Sequence, residues 1–172
     1  MAFNVIEAPN KFKAGYWKNK TIFLAGGISN CPDWQSEAIQ ILNCSANIAN
    51  KYSGLTHSSY YTILNPRRAD FDTSNEAESV KQITWEYKAL AKSSKVLFWF
   101  PEETLCPITL LELGKELMRR GRFERGSANL YIGCHPNYKR KMDVEIQTKL
   151  AKPRITIHTS LHAVVSALAG GL

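Results

Sequence analysis

Two glutamates and a glycine turn carry the groups in this chain best suited to chemistry. Glu112 lies in Pro107-Ile-Thr-Leu-Leu-Glu112-Leu-Gly114, shortly after the apolar run Val96-Leu-Phe-Trp-Phe100. The run reads as a buried strand, and the stretch after it as a loop feeding a helix. A carboxylate just past the C-terminal end of a parallel strand stands where open α/β sheets take their ligands. Such a group can attack an electrophilic sugar carbon and split one hard displacement into two easier ones. Glu86, on the helical stretch before that strand, offers a second carboxyl to hydrogen-bond or protonate a leaving group. The plainer reading of either residue is a solvated helix glutamate. Leu110, Leu111 and Leu113 around Glu112 favour a partly buried face. The helix dipole near its N-terminal turn favours the ionised carboxylate.

Gly26-Gly27 lets the backbone approach a ligand and aim N–H groups at it, or is simply a strand-to-helix turn. No G-x-G-x-x-G and no G-x-x-x-x-G-K-[ST] occurs, which argues against dinucleotide binding and phosphoryl transfer from a nucleoside triphosphate. Arg67-Arg68, after Pro66, can grip phosphate or carboxylate bidentately, or hold a loop by pairing with Asp70 or Asp72. The four histidines (His57, His135, His158, His162) form no ligand pattern, and the four cysteines contain no C-x-x-C. Neither a metal centre nor a cofactor is expected. His158 with Ser160 lacks the G-x-S-x-G elbow of a serine hydrolase.

These groups must be positioned by a regular scaffold. Thr21-Ile-Phe-Leu-Ala25 reads as a first strand, and Asp33 as the N-cap of a helix with apolar residues at 34, 38, 41 and 42. Tyr60-Tyr-Thr-Ile-Leu64 is a second strand closed by Asn65-Pro66. A helix through Trp85, Glu86 and Leu90 follows. Residues 96–100 make the third strand, and a helix beginning near Pro107 ends near Gly121. Residues 129–133 and 154–158 give strands four and five. A helix over 143–150 is stopped by Pro153, and a last one is capped by Thr159 or Ser160. Residues 1–19 read as an N-terminal arm or an edge element, and residues 20–172 as one domain. Five strands alternating with five helices predict a parallel sheet with helices on both faces, a flavodoxin-like three-layer sandwich of order 2-1-3-4-5.

Composition sets the outer bounds. The 172 residues are 44% hydrophobic and 22% charged, enough for one full core. A net charge of +7 and a pI near 9.3 favour anionic ligands. The clusters Arg119-Arg120-Gly-Arg122 and Lys139-Arg140-Lys141 permit nucleic acid or are solvated surface, and nucleic acid is not the expected partner. No apolar run spans a membrane and no signal-peptide core opens the sequence. A reducing, cytoplasmic setting with free thiols is expected.

Taken in order, several segments resemble those of nucleoside 2-deoxyribosyltransferase-like proteins, across roughly residues 20–158. They are Phe23-Leu-Ala-Gly26-Gly-Ile, Asp33-Trp34-Gln35, Leu64-Asn65-Pro66-Arg67-Arg68, Trp85-Glu86, Phe98-Trp-Phe100, Pro107-Ile-Thr-Leu-Leu-Glu112-Leu-Gly114 and Ile132-Gly133-Cys134-His135-Pro136. The resemblance implies a flavodoxin-like fold and cleavage of the N-glycosidic bond of a 2′-deoxynucleoside. A glutamate attacks C1′, and another base, or water in hydrolytic relatives acting on 5′-monophosphates, accepts the sugar. By position Glu112 matches the family nucleophile and Glu86 an acidic residue that contacts the base. Gly26, Gly27 and Ile28 match the first pocket loop, and Asp33, Trp34 and Gln35 the start of its helix. Asn65, Arg67 and Arg68 match the second loop, with Thr109 on the helix of Glu112. The substrates implied are a nucleoside or nucleotide and a free base. Family members assemble as homodimers or larger homo-oligomers in which a neighbour completes the site. Asp143 stands where relatives often carry the Asn offered to that neighbour; Asp keeps an acceptor but loses the amide donor. The first loop, residues 25–30, also lacks the relatives' tyrosine.

Three functions follow as competing expectations. The first is an enzyme acting on the N-glycosidic bond, as transferase or hydrolase. The second is a nucleotide-sensing module without turnover, prompted by Asp143 and the missing tyrosine. The third is a nucleic-acid-associated protein using the basic clusters. Intact Glu112 and Glu86 favour the enzyme.

Overall fold

A computed structural model describes residues 3–12, 21–53, 61–69, 74–119 and 129–172. Among these the strands are β1 (Asn4–Glu7), β2 (Thr21–Gly26), β3 (Thr62–Asn65), β4 (Lys95–Phe100), β5 (Leu130–Cys134) and β6 (Ile157–His158). The helices are α1 (Trp34–Ser53), α2 (Glu76–Lys92), α3 (Pro107–Arg119), α4 (Lys141–Ala151) and α5 (Leu161–Gly170). All strand pairings are parallel, and the sheet order is β1-β3-β2-β4-β5-β6.

The expected order 2-1-3-4-5 is present as β3-β2-β4-β5-β6, and the strand count is corrected from five to six. The addition, Asn4-Val-Ile-Glu7, pairs residue for residue with β3 and forms the sheet edge. Four residues with two half-buried apolar side chains are too short to show a period, and an edge strand needs a partner on one side only. The beginning of the expected arm is therefore an edge element of the sheet; residues 13–20 lie outside the described residues. The last strand is shorter than expected, because only Ile157 and His158 pair with β5.

Alternation along the strands builds the three layers. Phe23, Ala25, Leu64, Val96, Phe98, Phe100, Leu130 and Ile132 face one core, shared with Trp85, Leu113, Leu117 and Val144 of α2, α3 and α4. Ile22, Leu24, Ile63, Leu97 and Trp99 face the other, shared with Trp34, Ala38 and Leu42 of α1 and Val164 and Leu168 of α5. Every residue of β4 is buried, as a central parallel strand requires. The chain leaves β2 for β3 on one side and reaches β4 on the other. The switch point thus lies at the C-terminal ends of β2 and β4, where such sheets form a crevice.

Candidate active site

Glu86 is anchored by its neighbour in sequence. Trp85 is buried against Phe23 of β2 and Phe12, and its indole N–H donates to the Asn10 carbonyl at 2.7 Å. This fixes the rotation of α2. Glu86 then sits on the sheet side of the helix, where its Oε1 accepts a 2.8 Å hydrogen bond from Gln82 Nε2. The same nitrogen donates to the Pro66 carbonyl at 2.7 Å. Burial raises the Glu86 carboxyl above the ordinary carboxylate range, and the Gln82 amide opposes that shift.

Glu112 lies in the second turn of α3, which begins at Pro107 in the favoured first helical position. Leu113 and Thr109 are buried, while Leu111 points outward with 55% of its surface exposed. The apolar triplet around Glu112 therefore shields it on one side only. Burial, and then repulsion from Glu86, push the Glu112 carboxyl up to about 8; Lys115 pulls it down and Glu116 pushes it slightly further up. The expected dipole effect does not hold the carboxylate ionised. It fades within the first helical turn, and Glu112 is past it. The structure thus brings two carboxyls from separate helices into mutual repulsion beside the switch point.

The glycine turn is packed by protein. A Cβ on Gly26 would strike the Trp34 indole and the Trp99 carbonyl, and one on Gly27 would lie 2.7 Å from Thr104 Cγ2 and 3.0 Å from Cys106 Sγ. The Gly27 N–H faces the Cys106 sulfur. Its carbonyl accepts from Trp34 Nε1 at 2.8 Å and Gln35 Nε2 at 3.2 Å, with Arg67 Nη2 at 3.4 Å. Ile28 follows, half-buried on the loop, ahead of Asn30 at positive φ (56°). Asp33 caps α1 as expected, its carboxylate accepting from the Ser36 N–H at 3.1 Å and hydroxyl at 2.7 Å.

The arginine pair holds loops. Arg67 donates to Gln35 Oε1 at 2.8 Å and to the Pro32 carbonyl at 2.9 Å, and pairs with Asp33 at 3.2 Å. Buried Asn65 turns the chain toward it by accepting the Arg67 N–H at 3.0 Å. Arg68 pairs with Glu78 of α2 at 3.1 Å. Asp70 and Asp72, the partners weighed from the sequence, lie outside the described residues, as do Arg120, Arg122 and His57. Asp143 sits in the first turn of α4, paired with Arg140 at 2.9 Å. Nothing in its contacts joins it to Glu86 or Glu112. Ser160 caps α5 through the Ala163 N–H, so its hydroxyl is structural.

Gln35 belongs to the Asp33-Trp34-Gln35 segment named from the sequence, whereas Gln82 and Tyr138 have little sequence signature of their own. Gln35 and Gln82 are buried amides that link loop carbonyls to Arg67 and Glu86. Tyr138, buried beyond β5, donates to the Leu105 carbonyl at 2.6 Å and pins the chain just before α3. The i, i+4 spacing of Gln82 and Glu86 is the one trace legible beforehand. The site's thiols are poor competitors as nucleophiles: burial pushes Cys106 up to about 12 and Cys134 up to about 11. Two hollows, of about 230 and 290 Å³, lie elsewhere. One is lined by Tyr131, Arg154 and His158 and the other by Val5, Glu7 and Asn10, and neither touches the carboxyl pair.

Among the described residues no helix is long and apolar enough to cross a membrane. No curated protein matches the chain. A family model described as nucleoside 2-deoxyribosyltransferase like matches residues 19–123, more than half of the chain, and includes β2 to β4, the carboxyl pair and both loops at the switch point. The chain belongs to the nucleoside 2-deoxyribosyltransferase-like family.

Proposed function

We propose that the protein cleaves the N-glycosidic bond of a 2′-deoxynucleoside and transfers the sugar to another base, with Glu112 as nucleophile and Glu86 as acid. The observation that carries this is the mutual repulsion of two carboxyls from α2 and α3 beside the switch point. Burial raises both carboxyls, Glu112 up to about 8, so the pair can hold a single proton between them. At rest burial and Glu86 keep the proton on Glu112; in the productive arrangement it has passed to Glu86 and Glu112 is ionised. Glu112 attacks C1′ as the C1′–N bond breaks. The bonding pair leaves with the base nitrogen, which takes the Glu86 proton. A second base then attacks C1′, gives its proton back to Glu86 and frees Glu112. No hydrogen bond among the described residues ties up the Glu112 carboxylate, which leaves its lone pairs for carbon.

Gly26, Gly27, Ile28 and Thr109 form the near wall of the pocket, and Asp33, Trp34, Asn65 and Arg67 hold its loops. The arginines' protein partners favour an unphosphorylated nucleoside over a 5′-monophosphate. A second copy of the chain covers the site. Val80, Ile83 and Tyr87 of α2, Ile108, Leu111 and Met118 of α3, and Met142, Ile146 and Leu150 of α4 leave large apolar side chains exposed on one side of the sheet. Such a surface is characteristic of an interface. Asp143 is the residue on this side that reaches the neighbour's pocket.

The test is chromatographic. Purified protein is incubated with a panel of deoxynucleosides and their 5′-monophosphates, with and without a second free base. A new nucleoside formed only with the second base supports transfer. Release of base alone shows a hydrolase, and an unchanged panel overturns the enzymatic reading.

A further inference from the structure

The buried amide of Gln82 has two carbonyl-type acceptors on one nitrogen. Its Nε2 lies 2.7 Å from the Pro66 carbonyl and 2.8 Å from Glu86 Oε1. That settles the amide's orientation, because the flipped form would set its oxygen against two acceptors. Gln82 Oε1 is buried and has no hydrogen-bond partner among the described residues. A side chain 2% exposed thus forgoes a bond at its oxygen while committing both N–H groups, one to the loop after β3 and one to Glu86. A residue present only to fill the core would not need that arrangement.

We infer that Gln82 is a positioning residue that holds Glu86 Oε1 as an acceptor and directs the transferable proton to Oε2. The inference rests on the proposed role of Glu86. A carboxyl oxygen that already accepts an N–H is the poorer place for a proton, so the proton sits on the other oxygen. When the glycosidic bond breaks, the Oε2–H bond breaks and an N–H bond forms on the base. Glu86 is left as a carboxylate, with the Gln82 N–H still bonded to Oε1 to stabilise the charge. The Pro66 bond ties the acid to the Asn65-Pro66-Arg67 loop, so acid and pocket wall move together. Among the described residues, the ionisable group acting on Glu86 from another element is Glu112 of α3.

The test is Gln82→Met, similar in length and without donors, alone and combined with Glu86→Gln. Turnover by Gln82→Met should fall roughly ten- to hundredfold in kcat with KM changed less than about threefold. Carbon-13 NMR of the Glu86 carboxyl should show its titration moved upward by roughly half a unit or more, since the donor that favours the charged form is gone. In the Glu86→Gln background the same substitution should have little further effect on kcat. Gln82→Asn, one methylene shorter and still polar, serves if the Met variant does not fold. An unmoved Glu86 titration, or an undiminished loss in the Glu86→Gln background, overturns the inference. Absence of turnover in the parent protein contradicts the proposed function instead, and the NMR titration still decides whether Gln82 acts on Glu86.

Discussion

Replacing Glu112 by glutamine should stabilise the fold at alkaline pH while abolishing turnover. The folded-state carboxyl is pushed from 4.5 up to about 8, first by burial and then by Glu86. Below about pH 4.5 the group is protonated folded and unfolded, and its titration takes nothing from stability. As pH rises from about 4.5 to about 8 the unfolded chain releases this proton and the folded one keeps it, so stability falls. Above about 8 the loss is complete and constant. Each pKa unit corresponds to about 1.4 kcal/mol, which bounds the loss at roughly 5 kcal/mol. Partial solvation and relaxation reduce it to roughly 2 kcal/mol. Glutamine is nearly isosteric and cannot ionise, so the variant escapes the loss. Thermal melts at pH 8.5 should place Glu112→Gln about 4–8 °C above the parent protein, with a difference near zero at pH 5. An equal or lower Tm at pH 8.5, relative to the pH 5 comparison, would refute the picture of a buried carboxylate held in repulsion. Stabilisation with loss of activity is the mark of a site strained for function.

Other consequences can be measured alongside. The parent kcat/KM should fall above about pH 8, where the carboxyl pair loses its shared proton. Glu86→Gln should keep a small residual activity and invert that profile: with repulsion removed, Glu112 titrates lower, and activity rises with pH to a plateau. Gly27→Ala must displace Thr104, Cys106 or Cys31 and should destabilise by about 1–3 kcal/mol in denaturant titrations. Ile83→Asp, on the exposed face of α2, should shift sedimentation toward the monomer and reduce turnover together, whereas an unchanged sedimentation coefficient would remove that face from the assembly.

Much of this could be read from the residue order because the physics involved is local. The unbroken apolar runs Phe23-Leu-Ala and Val96-Leu-Phe-Trp-Phe100 require a sheet covered on both faces, and Asp33, Pro107 and Ser160 mark helix starts by chemistry of their own. An edge element was one of two readings of residues 1–19, but its place at residues 4–7 was not legible, since it is defined by pairing with β3 across some 58 residues. The carboxyl pair could be named in advance, but not its charge state. The sign of that effect depends on how deeply Glu112 is buried and on Glu86 facing it, and the dipole alone pointed the other way. Arg67 and Arg68 illustrate the same limit. Their type permits phosphate binding, yet the loop carbonyls of Gly27 and Pro32 need donors once folded, and that need arises only in three dimensions. Gln82 matters for the same reason.

The most direct test of Glu112 as nucleophile is mass spectrometry of the protein after incubation with a cleavable deoxynucleoside and no acceptor base. One deoxyribosyl group should be found esterified to the peptide carrying Glu112, discharged as a new nucleoside when a second base is added. Base release with no adduct on that peptide, or an adduct on another residue that turns over at the same rate, would contradict it.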